Sequence, residues 1–387
     1  SIMKLALILA YKNLIGSGLR TWLNVGILAF TFILILFYNG LLNGWNNQAK
    51  RASIEWEYGY GELRAANYDP YDPFSIQDGH QSYQPEEFKM LTPILIRQAS
   101  IYPNGRMLSI SLKGIPNDQK LLKLPTSFLS PEQAKIPVII GKRMAATAHL
   151  EEGDEVLLRW RDKHGTFDAL EVTIVKIFDS DVGSIDSGQM WIALAQLQEM
   201  TGLKDRASYF VANSNYSHQK RNGWRFFPQE TLLEDINKLI ASKKISGSIM
   251  YLLLLTIALL AIFDTQVLSV FRRQKEIGTY IALGMTRMQV VGLFTVEGSM
   301  YSLLAMLMGA LIGIPILSVL AINGISFPEV TQGMGVTMAE RIFPVFSLQL
   351  IAGTMILLII SATIVSFLPA KKIANMNPVE ALKGKLQ

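Results

Sequence analysis

The sequence contains no cysteine and only four histidines among its 387 residues. Without thiols the chain can form neither disulfide bonds nor thiolate metal sites, and it has no cysteine nucleophile. The histidines, at positions 80, 149, 164 and 218, are scattered, and none falls in an H-E-x-x-H motif. A G-x-S-x-G nucleophile motif is also missing. We therefore expect neither a catalytic site nor a bound metal in this chain.

Charge is scarce as well. Charged residues make up 17% of the chain and apolar residues 50%, whereas a soluble domain is about 25% charged. A composition this rich in apolar residues argues against a disordered chain. The formal net charge is +5, but no cluster of basic residues interleaved with aromatics is present, so we expect no nucleic-acid partner.

The apolar residues are concentrated in four long runs, which contain only two charged residues, Asp264 and Glu297. A helix needs about 20 apolar residues to cross a hydrocarbon core about 30 Å thick. Runs of this length also exceed the core helices of ordinary soluble proteins. They predict four transmembrane helices, at residues 22–42, 249–271, 291–322 and 346–368.

Positive charge predicts the orientation of these helices, because short basic flanks stay in the cytoplasm. Basic residues lie before the first span, between the second and third, and after the fourth, whereas the 323–345 loop has only Arg341. We therefore expect both termini on the cytoplasmic face of a bacterial inner membrane. The basic residues of the three flanks are Lys4, Lys12, Arg20, Arg272, Arg273, Lys275, Arg287, Lys371, Lys372, Lys383 and Lys385.

The long segment between the first two spans, residues 43–248, predicts a folded extracytoplasmic domain. Apolar and polar residues alternate within 92–115, 155–161 and 170–178, which is typical of strands. Helical patterns occupy 45–62, 191–203 and 229–248. The predicted fold class is an α-helical membrane protein with four transmembrane helices and a large extracytoplasmic α+β domain inserted between helices 1 and 2.

The remaining segments are short. Residues 67–86 are rich in proline, aspartate and tyrosine and predict an irregular loop, which serves either for recognition or as a surface connector. The other predicted segments are a cytoplasmic N-terminal elbow helix at 1–21, a cytoplasmic coupling helix at 272–290, a short external loop at 323–345 and a cytoplasmic tail at 369–387.

Several motifs resemble the FtsX/MacB-type, or type VII, permeases of ABC transporters. The most specific is the basic run ending in Glu276-Ile277-Gly278, followed by Ala282-Leu283-Gly284-Met285-Thr286. The tail, with Pro369-Ala370 and then Asn377–Leu382, resembles the family's P-A…P-x-E-A-L ending. The N-terminal pairs Asn13-Leu14 and Arg20-Thr21 are similar to its elbow. Four spans with the large loop after the first match the family layout.

The external segment carries a second pattern, Gly141–Ala145 followed by Leu150–Val156, which resembles both the lipoprotein-releasing LolC/LolE permeases and the MacB permeases. MacB carries an ATPase domain in the same chain, so LolC/LolE proteins resemble this sequence best in layout. The sequence has no G-x-x-x-x-G-K-[ST] phosphate loop, so ATP and Mg²⁺ are expected to bind to a separate ATPase.

The resemblance implies that the segment between spans 2 and 3 contacts two copies of this ATPase in a pair of permeases, formed with a second copy or a homologue. From the residues alone, Ile277, Ile281 and Met285 recur at helical spacing, so an apolar face could enter a groove on a partner or lie on lipid headgroups. The candidate coupling residues are Glu276, Ile277, Gly278, Ile281, Ala282, Leu283, Gly284, Met285 and Arg287.

Within the spans, Asp264 and Glu297 serve either in proton transfer or in polar ties between helices. Gly309 and Gly313 form a G-x-x-x-G step that suits a dimer face, an internal packing face or neither.

Three functions are compatible with these features, and we expect the first, with the second as its alternative. In the first, lipoproteins leave the outer leaflet for a periplasmic carrier through an apolar cavity lined by Phe37, Leu41, Leu252 and Leu255. In the second, the permease transmits motion to an efflux partner or a cell-wall hydrolase and transports nothing. A receptor without an ATPase is the third. A sealed interface between spans 1 and 2 favours the second function, and a cleft open to lipid favours the first.

Overall fold

The structure, a computed structural model, describes residues 18–326 and 341–375. Lys4, Lys12, the Asn13-Leu14 motif, the Asn377–Leu382 motif, Lys383 and Lys385 lie outside the described residues, as do the Arg20 side chain and most of the 323–345 loop. The chain divides into two compact units. One lies within residues 1–45, 240–325 and 343–387, and the other within residues 46–239 and 326–342.

The first unit is helical, and long helices connect it to the second. Described in chain order, the α-helices are α1 (Leu19–Ser53), α2 (Lys142–Ala148), α3 (Gly183–Gly188), α4 (Leu194–Thr201), α5 (Gln229–Leu232), α6 (Glu234–Arg272), α7 (Gln274–Ala282), α8 (Arg287–Asn323) and α9 (Leu348–Ala370). Helices α1, α6, α8 and α9 are each long and apolar enough to cross a membrane.

These four helices share one apolar cluster. Val25, Leu28 and Phe32 of α1 pack with residues of the other three, among them Ala258 of α6 and Ala305 of α8. Their outward faces remain apolar and exposed, as a helix surrounded by hydrocarbon requires.

The second unit is an α+β domain whose strands lie between α1 and α6 in the sequence. The strands are β1 (Gly61–Ala65), β2 (Gln81–Ser82), β3 (Leu91–Ile101), β4 (Leu108–Ile115), β5 (Pro137–Gly141), β6 (Glu155–Arg161), β7 (Phe167–Phe178), β8 (Gln189–Ala193), β9 (Arg206–Ala207), β10 (Tyr209–Ala212) and β11 (Trp224–Pro228). Two further short strands, β12 (Ile325–Ser326) and β13 (Arg341–Ile342), follow α8.

Strand β3 organises this domain because it is shared by two parts of the sheet. Its first residues pair with β10, and its last three pair with β6. The order β3-β4-β8-β5-β7-β6 therefore returns to β3 and closes a six-stranded barrel, while β10, β1 and β11 extend from its side. The barrel interior is filled by apolar side chains such as Leu112, Leu158 and Ile174. Closure leaves these six strands with few free edges.

The arrangement confirms the predicted fold class: four long apolar helices with a large α+β domain inserted between the first two. Two local predictions were wrong at their ends. The helix predicted over 45–62 ends earlier, in a π-helical turn at Ile54–Tyr58, because Gly59 and Gly61 adopt positive φ and start β1. The helix predicted over 191–203 begins only at Leu194, because Trp191–Ala193 belong to β8 and pair with β4 and β5.

The α+β domain buries ionisable side chains near the start of β1. Glu62 is 4% exposed, and its Oε2 lies 2.7 Å from Arg64 Nη2. Burial raises the pKa of Glu62 to about 7, more than the neighbouring Arg64 lowers it. Lys113 of β4 is also buried and donates a hydrogen bond of 3.2 Å to the Tyr209 hydroxyl, and burial lowers its pKa.

The raised pKa of Glu62 predicts a pH-dependent stability. The folded protein keeps this proton up to about pH 7, whereas the unfolded chain releases it near 4.5. The free energy of unfolding should therefore fall as the pH rises through this window, by up to about 3 kcal/mol. Glu62→Gln should remove the fall and melt at a higher temperature than the wild type at pH 8, but not at pH 4.

Thermal unfolding of the full chain in detergent across pH 4–8 measures this effect. Glu86→Gln, which changes an exposed glutamate, should keep the wild-type pH dependence. Parallel curves for wild type and Glu62→Gln would show that Glu62 does not hold its proton as described.

Candidate functional site

The candidate site is the short helix α7 and the two turns that flank it. Helix α6 ends at Arg272, and Arg273 leaves helical geometry before α7 begins at Gln274. After α7, Gly284 has φ +96°, a conformation that favours glycine, and reverses the chain. Thr286 then caps α8 in a capping box with Gln289. Helix α7 is thus a separate element with a defined start and end.

Arg273 fixes α7 to α8. Its Nε donates a hydrogen bond to Glu276 Oε2 of α7 (2.7 Å), and its Nη1 donates one to Glu297 Oε2 of α8 (2.8 Å). The guanidinium also stacks over the Phe294 ring, 4.8 Å from its centroid. Charge-assisted hydrogen bonds of this length are among the stronger ones in proteins. One cation therefore binds two carboxylates on two helices, and Glu297 serves here as a polar tie.

The apolar face of α7 points inward, which corrects the prediction that Ile277, Ile281 and Met285 present it to a partner. Ile277 is fully buried, and Gly278 is buried beside it. Both Ile281 and Met285 are partly covered. The face is covered because it packs against the start of α8 and the end of α9, where Val290, Phe294, Ala370 and Ile373 form the rest of the cluster.

Residues other than those of the apolar face form the exposed side of α7 and of the turn that follows it. Leu283, which directly follows the helix, is 79% exposed. It lies in a segment whose other candidate residues, Glu276, Ala282, Gly284 and Arg287, are exposed too. An additional Cβ at Gly284 would meet nothing within 4 Å. These residues form the surface that a partner could reach, and we call them the α7 turn surface.

Helices α1 and α6 are tied together at one end by Asn24. Its Nδ2 donates to Thr265 Oγ1 (2.7 Å) and to the Ala261 carbonyl (3.3 Å). Asp264, next to Thr265, is exposed and makes no hydrogen bond or ion pair with any described residue.

A second tie holds the other end of the same pair. The Tyr38 hydroxyl donates to the Lys243 carbonyl (2.8 Å), and Lys244 Nζ donates to Asn43 Oδ1 (2.7 Å). Gly247 leaves room for the Tyr38 ring, since a Cβ there would collide with it. At 1.5 Å per residue, Asn24 and Asn43 lie about 28 Å apart along α1, close to the thickness of a hydrocarbon core. The two ties therefore bracket the whole span.

The predicted cavity residues do not share one environment. Leu255 is buried and Phe37 packs against the same cluster, whereas Leu252 is 59% exposed and Leu41 is half-buried. Gly309 and Gly313 pack against α1: an added Cβ would approach Phe32 Cδ1 to 2.8 Å and Ile33 Cγ1 to 3.1 Å, respectively. The glycine step is thus an internal packing face in this chain.

Sequence reasoning missed the role of Arg273, which it treated only as a topogenic charge, and the ties of Asn24, Tyr38 and Asn43. The signal for Arg273 was present in Glu276, one helical turn further on. Among the described residues, no group of three or more His, Asp or Glu side chains could hold a metal ion.

Comparison with known proteins places this site in a family. Residues 248–378, which run from within α6 to beyond the end of α9, match the family model described as FtsX-like permease C-terminal. The predicted resemblance to FtsX/MacB-type permeases is thereby confirmed, and this segment is an FtsX-like permease domain. The finer resemblance to LolC/LolE stays a prediction.

Three curated relatives are similar to parts of the chain. The uncharacterized ABC transporter permease YknZ of Bacillus subtilis is 26% identical over 221 residues, which cover 56% of this chain and 50% of YknZ. The uncharacterized ABC transporter permease MJ1507 of Methanocaldococcus jannaschii is 28% identical over 34% of this chain and 30% of its own length. The macrolide export ATP-binding/permease protein MacB of Bordetella avium is 23% identical over 40% of this chain and 22% of MacB.

The chain therefore matches half or less of the length of these relatives. Among solved structures, the extracellular domain of the noncanonic ABC-type transporter YknZ from Gram-positive bacteria aligns with 43% of this chain and 98% of that domain, at 12% identity and a TM-score of 0.28.

The Arg273 network predicts that α7 loosens when the cation is removed. In Arg273→Gln the two carboxylates lose their shared partner, so the amides of residues 274–282 should exchange with deuterium faster, by about tenfold. Arg272→Gln is the matched control, because it removes an exposed neighbouring arginine. Hydrogen exchange of the detergent-solubilised chain measures both. Equal protection of α7 in the two variants would contradict the anchoring role of Arg273.

Proposed function

We propose that this chain is the permease subunit of an ATP-driven ABC transporter of the FtsX/MacB type, and that it transmits motion. The observation that carries the proposal is the anchored helix α7 with its exposed α7 turn surface, in a segment that matches the FtsX-like permease domain. A separate ATPase would bind this surface. The ATPase, present in two copies beside two permeases, would bind ATP and Mg²⁺, since these 387 residues contain no phosphate-loop motif.

Leu283 is the residue best placed to contact that ATPase. A partner that covers this side chain would remove its apolar surface from water, which would favour binding. The inward Ile277 would hold the helix in place, and Arg273 would carry force into α8 through Glu297. Basic residues on the same segment, Arg272, Lys275 and Arg287, support a cytoplasmic location for this surface in the inner membrane.

Motion of α7 would reach the α+β domain through α6. Only Arg273 separates the two helices, and α6 continues for 39 residues without a break, about 58 Å at 1.5 Å per residue. Because α1 is tied to α6 at both ends of the span, the two helices would move together. Two continuous helices that flank the domain in sequence would thus move it directly.

The ties also bear on the alternative of lipoprotein extraction. A lipidated substrate that enters between α1 and α6 would have to break the bonds of Asn24, Tyr38 and Lys244. Mechanotransmission needs no such opening, and for this reason we propose it. Entry between α1 and a helix of a second permease stays a prediction, together with the lipoprotein substrate and the periplasmic carrier.

Leu283→Asp tests the contact with the ATPase. The tagged full chain, expressed in the organism it comes from, should co-purify an ABC ATPase with measurable ATP hydrolysis. The substitution places a charge in an apolar contact and should lower the amount of ATPase recovered by at least tenfold. Met107→Asp changes an exposed apolar residue (60%) between β3 and β4, outside the spans, and should recover the wild-type amount. Equal recovery with both variants would exclude Leu283 from the interface.

A cross-link between α1 and α6 tests how the transporter works. Because the chain has no cysteine, the pair Asn43→Cys and Lys244→Cys can be bridged selectively with a short bismaleimide. If α1 and α6 move as one body, the bridged complex should keep ATP hydrolysis and cellular activity near those of the single-cysteine controls. Loss of cellular activity in the bridged double variant alone would favour a mechanism in which the two helices separate.

A further inference from the structure

A groove of about 690 Å³ lies on the outer face of the barrel in the α+β domain. Its floor is built from β4, β3 and β6, and one wall is the loop predicted over residues 67–86. Pro70, Pro73 and Phe74 form the apolar part of this wall. We call it the barrel groove. We propose that the barrel groove binds an extended, acidic segment of a partner protein.

The floor is polar and positively charged. Strand register places Ser109, Ser100 and Arg159 side by side in one row across β4, β3 and β6, and directly opposite residues share a face of the sheet. Arg161 lies two residues from Arg159 and therefore on the same face. The described residues that line the groove include these two arginines and no carboxylate. Charge complementarity thus favours an anionic ligand.

The two arginines are held in place by an aromatic ring. The guanidinium carbons of Arg159 and Arg161 lie 3.9 and 4.4 Å from the centroid of the Phe167 ring. The nearest carboxylate in sequence, Asp162, is engaged in its own turn, where Oδ1 accepts hydrogen bonds from the amides of His164 and Thr166. Arg159 Nη1 also donates to the Tyr102 hydroxyl (3.4 Å). Because a guanidinium carries five N–H donors, both groups keep donors available for carboxylates of a ligand.

The wall is rigid although it is a loop. Arg97 of β3 is buried, and its guanidinium donates to the carbonyls of Gln77, Arg161 and Asp162 at 2.7–3.1 Å. The Asp72 side chain accepts from the Phe74 amide (2.9 Å) and caps a 3₁₀ turn at Pro73–Ile76. Phe74 is nevertheless 91% exposed. A fixed backbone that displays an aromatic ring to solvent is typical of an interface position.

An extended polypeptide fits this two-sided groove. Side chains of a strand alternate between two directions, so acidic residues would reach the arginine floor while apolar residues contact Phe74 and the prolines. The backbone has a partner too: β8 pairs with β4 only from Ser111 onward, and in the described part of the chain no strand pairs with that edge of β4 over residues 108–110. A polypeptide can add to such an edge, whereas a polysaccharide cannot.

The wall also touches the helix that leads to the first unit. The Tyr71 hydroxyl, in the same loop, donates to Asp235 Oδ2 (2.9 Å) in the first turn of α6. A ligand that contacts this loop is therefore one hydrogen bond away from α6.

Fluorescence polarisation on the full chain in detergent tests the proposal. The probe is a fluorescein-labelled synthetic peptide in which glutamate alternates with phenylalanine and valine, and its counterpart carries lysine in place of glutamate. The acidic peptide should bind, with an affinity that falls as salt is added, and the lysine peptide should not. Arg159→Gln and Arg161→Gln should each weaken binding about tenfold, and Phe74→Ala several-fold.

The matched control is Arg225→Gln, an exposed arginine on β11 outside the groove, which should bind like the wild type. Because Arg159, Arg161 and Phe74 are exposed, their substitutions should leave the fold intact, and an unchanged melting temperature verifies this.

Equal binding of both peptides, or undiminished binding by the two groove arginine variants, would overturn the proposal. So would arginine-dependent binding of polygalacturonate, a polyanion without a peptide backbone, when the acidic peptide does not bind. The measurement contains no ATPase, so its result is independent of the proposed transport function.

Discussion

The constraint on which the helical unit depends is that hydrocarbon offers no hydrogen bonds to a polypeptide backbone. A chain that crosses it must satisfy its amides internally, and a continuous helix does this at every residue. Helices α1 and α6 obey the constraint over their predicted spans and then continue as helix well beyond them, to Ser53 and back to Glu234. Two uninterrupted helices therefore flank the α+β domain in the sequence.

The same constraint explains the positions of the polar side chains in the long apolar helices. Asn24 donates hydrogen bonds to Thr265 and to a carbonyl of α6, and Glu297 accepts one from Arg273. The Asn24 bonds join α1 to α6, and Arg273, which lies between α6 and α7, bonds to both Glu276 of α7 and Glu297 of α8. Hydrogen bonds of this kind contribute to the association of helices in a membrane. The ties are therefore placed by the cost of burying polar atoms, and their consequence is mechanical: α1 and α6 are joined at both ends, and α7 is joined to α8.

Properties that depend on local pattern could be predicted from the sequence. The four spans were found because an uncharged run of some 20 residues has one inexpensive conformation in a bilayer, and β3, β4, β6 and β7 were found because alternation is a property of neighbouring residues. The closure of the barrel through β3 and β6 was not predictable. It pairs residues 99–101 with 158–160, and a pairing between such distant residues produces no pattern among neighbouring residues of the sequence. Trp191–Ala193 were assigned to a helix for the same reason: their strand exists only because β4 and β5 lie on either side.

The candidate site shows this limit in one short helix. Periodicity identified Ile277, Ile281 and Met285 as the apolar face of α7, and that face exists. Periodicity alone does not say what covers an apolar face, and here α8 and α9 of the same chain cover it. The exposed apolar residue lies instead in the turn, where Leu283 stands outside any periodic pattern. An amphipathic helix flanked by two long apolar helices should therefore be expected to pack first against its own chain, because those helices are at high effective concentration, and to present to a partner what remains exposed.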